Sequence, residues 1–228
     1  FNFSANADEF NISAVEITID KQNNIIIGKG SVVATDKQGQ IVKANKIIYE
    51  RSKELLEAEG SVEIIDKEDN ILTTDRATFD KPNNIINSYK NSALITKDDY
   101  KLKSNRIIYN TEKKLISSPQ NSILTDGDGN IVTSSMFQYD LEKKMFSSIG
   151  NIKIIDANKN KYFFKELHVD TAKKEIIGSD VSAVLDQESF GLSKENDPRF
   201  VANDIYISKF KSNMSKGIFT VCKKRDGK

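Results

Sequence analysis

Acidic residues recur in step with a thirty-residue period at Asp20, Glu50, Asp80, Asp140 and Asp170. Paired carboxylates on one face of a β-solenoid can act as acid and base on a glycan, so a carbohydrate-active enzyme is one reading of this column. The recurrence argues against it. A catalytic pair is an exception to a repeat, whereas an Asp that returns once per period beside a polar turn caps that turn. One His, one Cys and no Trp give too few ligands for a His/Cys zinc site and no second base for a Ser-His dyad. His168 lies one residue before the inward Val169, so strand parity turns it to solvent. Gly28 and Gly30 form a G-x-G inside a strand with no helix after it, which is not a phosphate loop. The stretch DGDGN (126–130) shares part of a calcium-loop pattern but lacks the bidentate Glu, and a hairpin turn accounts for it. No cofactor and no metal site is expected.

The elements that would position any site follow from composition and periodicity. The chain has 228 residues with 34 Lys+Arg against 33 Asp+Glu, a balance without the basic footprint of a nucleic-acid binder. Apolar runs are short (Ile25–Ile27 is typical), so no segment crosses a bilayer as a helix. The opening FNFSANADEF has no basic segment followed by an apolar one, so an export signal is either removed or never existed. The charged end KKRDGK reads as a cut in a longer chain or a frayed tail. A single Cys cannot pair internally, which makes Cys222 either a buried small hydrophobe or a thiol that pairs outside this chain.

Stacked in steps of thirty, the sequence aligns AVEITID (14–20), ANKIIYE (44–50), TDRATFD (74–80), SNRIIYN (104–110), SSMFQYD (134–140) and FKELHVD (164–170), with ANDIYIS (202–208) after an insertion. Alternate positions hold β-branched or aromatic residues, the mark of a strand with one buried face. Polar turns follow, such as KQNN (21–24) and KPNN (81–84). A return strand then carries the large column Ile26, Leu56, Ile86, Ile116, Phe146 and, two residues on, the small column Gly28, Ala58, Ser88, Ser118, Ser148, Gly178. A second turn rich in Asp, Gly and Asn closes each period, as in DKQGQ (36–40) and DKEDN (66–70). Parity slips by one between Val42/Ala44 and Ile47/Tyr49, which predicts a bulge or corner in mid-strand.

Each period is therefore a hairpin that cannot bury its own apolar face, and several stacked hairpins share one core. The predicted fold is all-β: an elongated, bent antiparallel stack of about fourteen strands forming a single domain over 1–228, with periods near 14–43, 44–73, 74–103, 104–133, 134–163, 164–201 and 202–222. The apolar columns can line a slot for lipid. At about 0.8 kcal/mol per buried CH₂, a tail of about a dozen carbons gains on the order of 10 kcal/mol there. The candidate lining residues are Ile47, Ile107 and Phe137; Tyr49, Phe79, Tyr109 and Tyr139; Leu56, Ile86, Ile116 and Phe146; Ala58, Ser88 and Ser118; and Val62 with Ile64. The small column either forms the floor of that slot or lets the opposing strands approach closely.

The unit whose best copy is ANKIIYE…LLEAEGSVEIID…IL (44–72) resembles the OstA-like repeat of the lipopolysaccharide-transport proteins. ENDPRF (195–200) and GIFTVC (217–222) are similar to segments near the end of the periplasmic domain in the LptD branch of that family. The repeat glycine is replaced by Lys90, Gln120 and Asp180, and the acidic turn residue by Asn110 and Ser208, which weakens those copies individually. The resemblance implies a V-shaped, taco-like β-jelly-roll at the periplasmic face of the outer membrane, without catalysis. It implies that lipopolysaccharide arrives from an LptA-like bridge protein, paired to the edge strand near residues 14–20, unless FNFSANADEF covers that edge as a lid. It further implies a β-barrel beyond Lys228 occupied by the lipoprotein LptE, and a disulfide from Cys222 to that barrel. Arg199 is either part of a turn or a contact to headgroup or barrel. An LptA- or LptC-like bridge protein is the alternative within the same system.

Overall fold

A computed structural model describes residues 3–6, 10–187 and 196–222. Among them there is no helix, and the strands are β1 (Phe3–Asn6), β2 (Phe10–Ala14), β3 (Glu16–Asp20), β4 (Ile25–Asp36), β5 (Ile41–Glu50), β6 (Leu55–Ile65), β7 (Ile71–Asp80), β8 (Ile85–Tyr89), β9 (Ser92–Ile95), β10 (Lys101–Ser104), β11 (Ile108–Asn110) and β12 (Leu115–Ser118) in a first unit, Phe1–Gln120. The second unit, Asn121–Lys228, holds β13 (Ser122–Thr125), β14 (Ile131–Ser134), β15 (Met136–Asp140), β16 (Met145–Ile155), β17 (Lys161–Asp170), β18 (Glu175–Val184), β19 (Arg199–Ile207), β20 (Ser212–Ser215) and β21 (Ile218–Thr220). Pairing within each unit is antiparallel, for example Ile47 opposite Ala58 and Ala58 opposite Ala77. The fourteen expected hairpin arms are present. Six of them are interrupted and β1 is added, which gives twenty-one strand segments.

The interruptions and bends have a local cause. Left-handed backbone recurs at three places in the period: at the first turn (Asn24, Glu54, Asn84, Lys114, Lys144, Lys174), at mid-arm (Gly30, Gly60, Lys90, Gly150, Asp180) and at the second turn (Gly39, Asp69, Asp99, Gly129, Lys159). The mid-arm sites coincide with register shifts at Lys29/Val32, Glu59/Val62 and Ile149/Ile152, the corner that the parity slip predicts. Gly60 has φ +77°, and a side chain there would meet Asn45 Nδ2 at 2.8 Å, so both backbone and space favour glycine. Where Lys90 and Gln120 replace glycine, the arm breaks into β8/β9 and β12/β13.

The corner folds each arm of the first unit back on itself. Phe10 pairs with Asp36 at one end of β4, and Tyr49 pairs with Ile26 at the other. Ten residues of straight strand would separate them by about 33 Å, yet the Phe10 and Tyr49 ring centroids are 5.1 Å apart. The two halves of the arms are therefore facing layers with the apolar columns between them. In the second unit Phe137 and Phe146 stack at 5.8 Å, and Ile152, Leu167, Val181 and Ile205 are buried.

At the N-terminal end the expectation for residues 14–20 divides. β1 pairs with β2, Phe3 opposite Ala14, so that part of the edge is covered. β3 pairs with β4 alone among the described residues, and its Ile19 is 53% exposed beside Val15 at 55%. Ile19 is exposed although its counterpart Tyr49 is core, because among the described residues no strand pairs with β3 on its other side.

Candidate functional site

The sixteen candidate lining residues, from Ile47 through Phe146, are each buried in the core of their own unit, thirteen in the first and Phe137, Tyr139 and Phe146 in the second, and none is more than 6% exposed. The slot expected at these positions is filled: apolar side chains of the two layers pack on one another. Any guest entering this interior would have to part the layers. The small column is a site of close approach. A side chain at Gly28 would meet Val32 Cγ1 at 2.8 Å, and Gly178 lies against the Phe164 ring. Ser88 Oγ donates to the Ile107 carbonyl at 3.2 Å and accepts from Ile107 N–H at 2.9 Å. Ser148 Oγ donates to the Met136 carbonyl at 2.8 Å. These hydroxyls satisfy backbone groups where β10/β11 and β14/β15 are interrupted, which a ladder would otherwise do.

Within each unit the turns form two rows, each stitched from one period to the next. In the row of first turns, Arg51, Lys81, Thr111 and Thr171 each donate a backbone N–H to the carbonyl of the residue 27 positions earlier (Asn24, Glu54, Asn84 and Lys144), at 2.9–3.2 Å. In the second turns Asp36, Asp66 and Asp126 each accept two backbone N–H groups of their own turn, and in three second turns an Asn four residues after the Asp closes the ring. Asn70, Asn130 and Asn160 donate to Asp66, Asp126 and Asp156 at 2.7–2.8 Å. Their side-chain oxygens accept the backbone N–H of Lys97, Ala157 and Asp186 in the next period.

In the first unit the two rows meet across a polar seam. Lys81 Nζ donates to Asp36 Oδ2 at 2.6 Å and to Gln38 Oε1. Tyr109 Oη donates to Asp66 Oδ2 at 2.7 Å, and Lys114 pairs with Glu68 at 2.8 Å. A cavity of about 250 Å³ lies in this seam, lined by residues of both rows. The first period departs from the pattern: Gln40 stands where Asn70, Asn130 and Asn160 stand, and its Nε2 is buried without a partner. The sequence marks these segments as turns. The spacing D-x-x-x-N is the signal for the stitches, but nothing local marks Lys81 as a partner of Asp36.

Burial, followed by the neighbouring carboxylate, holds the Tyr109 phenol above its ordinary value beside Asp66. Burial likewise pushes Tyr162, which donates to Asp156 at 3.2 Å, up to about 12. Both folded values exceed the unfolded one, so their stabilisation is complete below the ordinary tyrosine value of 10.0 and is lost as pH climbs through the folded values. A spectrophotometric titration near 295 nm will show the Tyr109 and Tyr162 phenols ionising late, together with unfolding. Phenolate appearing normally for all seven tyrosines would contradict the buried contacts.

Other singled-out residues are also placed. Asp20, Asp80, Asp140 and Asp170 accept hydrogen bonds from their own turns, such as Lys143 N–H to Asp140 at 2.8 Å. Asp126 accepts from Asp128 and Asn130 N–H in a hairpin turn. His168 is half-buried on the outer face, with Nδ1 3.0 Å from Ser147 Oγ and Nε2 2.9 Å from Glu166. Among the described residues no three His, Cys, Asp or Glu groups gather as a metal site. Glu195 of ENDPRF falls outside the described residues, and Arg199 and Phe200 of the rest meet GIFTVC directly. β19 pairs with β21, Arg199 opposite Thr220, and Arg199 Nη1 donates to the Asp197 and Cys222 carbonyls at 3.0 and 2.7 Å. Cys222 is exposed and free, which removes the buried-hydrophobe reading.

Residues 36–180 match the family model described as OstA-like protein. No curated protein matches the sequence. Among solved structures the chain is similar to LptH from Pseudomonas aeruginosa, described as the LptA-homologous periplasmic component of the conserved lipopolysaccharide transport device. That similarity is at 13% identity and a TM-score of 0.44, over 47% of this chain and 79% of that one.

Proposed function

The chain belongs to the OstA-like protein family, and from that premise we propose that it is a periplasmic component of lipopolysaccharide transport whose apolar interior takes the acyl chains of lipid A. The observation that carries this reading is the core itself: the same large apolar columns recur every thirty residues between two facing layers. A seam between turn rows, rather than a covalent loop, closes that interior in the first unit. The lining residues are those of the columns, including Tyr49, Phe79, Ile116 and Tyr139.

The two ends suit a relay. The one-sided β3 with its exposed Ile19 fits strand addition by an LptA-like bridge protein. Phe210, Ile218 and Phe219 are exposed in the last described residues of the sequence, where the LptD resemblance would set the chain's own barrel with LptE. Cys222 is accessible there for a disulfide to that barrel. The pairing of the N-D-P-R and G-x-F-T-x-C segments supports the LptD branch over a free-standing bridge. Sequence beyond Lys228 with alternating strands and further Cys distinguishes the two.

Photo-crosslinking tests the lipid reading. A photoreactive residue at Tyr49, Ile116 or Tyr139 is expected to give lipopolysaccharide adducts, whereas one at the exposed Lys173 is not. Adducts from none of the three inward positions, with the fold intact, would remove the proposal.

A further inference from the structure

The first period is built differently from its successors at the point where the two turn rows touch. In the second, fourth and fifth periods the Asp of the second turn is closed by its own Asn. In the first, Gln40 leaves Asp36 Oδ2 to Lys81, 45 residues away, and keeps its own amide nitrogen buried and unpartnered. The pair is enclosed, with side-chain exposures of 10% for Lys81 and 1% for Asp36. The Lys81 ammonium also sits 5.2 Å from the ring centroid of Phe79, a core residue. The bond that ties the rows therefore lies directly over the apolar interior.

We propose that the Lys81–Asp36 contact is a latch that controls entry to the interior, with Gln40 keeping it poised to open. This rests on the reading of that interior as the lipid site. A desolvated ion pair gains little net energy, because removing both charges from water offsets their attraction. Release strands neither charge: Asp36 Oδ2, which Lys81 holds, is left to the water that enters the opened seam. Asp36 still accepts the N–H groups of Gln38 and Gln40 at 2.9 and 2.8 Å, and Lys81 can extend its long stem to water. Opening also lets water reach the Gln40 amide, which has no partner while the seam is shut. The Tyr109–Asp66 and Lys114–Glu68 contacts form the next ties along the same seam, so parting begins at the first period.

Stopped-flow uptake of the neutral apolar dye N-phenyl-1-naphthylamine by the full chain tests the latch. Lys81→Met and Asp36→Asn should each speed uptake by about tenfold, the factor expected when roughly 1.4 kcal/mol of closure is lost, with the β circular-dichroism spectrum unchanged. Gln40→Asn should slow uptake, because an Asn there can close on Asp36 as Asn70 does on Asp66. If Lys81→Met or Asp36→Asn fails to fold, the Gln40→Asn arm still decides. Uptake rates indifferent to all three substitutions, or a rise that merely follows loss of β structure, overturn the latch. Lipopolysaccharide adducts at Tyr49 with latch-independent dye entry would remove the latch alone. Latch-dependent dye entry without adducts would remove the lipid reading and leave the latch standing.

Discussion

Phe79→Ala lowers folding stability by about 3–5 kcal/mol, the cost of removing a fully buried aromatic side chain and leaving its cavity. Phe79 is 1% exposed, and its ring meets Phe10 edge-on at 5.9 Å with an interplanar angle of 78°. Phe10 comes from the opposite layer, so truncation removes a contact that holds the two layers together as well as apolar area. The Lys81 ammonium loses its aromatic neighbour at the same time. Urea unfolding measures the effect, with Ile177→Ala, at a residue 55% exposed, as the comparison that should change little. A loss below about 1 kcal/mol at Phe79 would mean that the interior is loosely filled rather than packed.

Asp66→Ala is expected to cost roughly 3–5 kcal/mol, through polar groups rather than volume. The Asp66 carboxylate accepts from Glu68 N–H at 2.8 Å, Asn70 N–H at 2.9 Å, Asn70 Nδ2 at 2.8 Å and Tyr109 Oη at 2.7 Å. Asn70 is 3% exposed and Tyr109 2%, so their donors are left without water when the carboxylate goes. Asp20→Ala is the control: Asp20 accepts a similar set from Gln22 and Asn23 in an exposed turn, where water replaces what is lost. Thermal melts of the two variants should separate clearly. Equal melting temperatures would show that the seam is wet and that the Tyr109–Asp66 bond does not tie it.

Much of this architecture was legible because it is local and repeats. The alternation at Ile47/Tyr49 and Leu56/Ala58 marks the inward face, and the parity slip after Ala44 marks the corner. The replacements at Lys90 and Gln120 fall where arms break, while Ile86 and Leu94 on either side of Lys90 stay buried. What the pattern did not disclose is how closely the layers approach. Columns lining an open slot and columns filling a core read identically, since both demand Ile, Leu, Phe and Tyr at the same spacing. Only a contact such as Phe10 with Tyr49, made through a folded-back arm, separates them. The small column was ambiguous for the same reason. Its resolution depends on Val32 and Phe164, whose positions three-dimensional packing fixes. Lys81 and Asp36 are 45 residues apart, beyond the reach of any local spacing rule.

Because strands of the long arms pair mainly with their neighbours in the chain, little conformational entropy is spent closing large loops before the first native bonds form. Assembly can start at any hairpin and zip outward in both directions, as in other solenoids. The earliest periods can be in place while later ones are still being delivered. The cross-row bonds join residues 43 and 45 positions apart, which requires at least two hairpins to exist beforehand. The seam therefore closes late in folding, and under tension it should be among the first connections to yield.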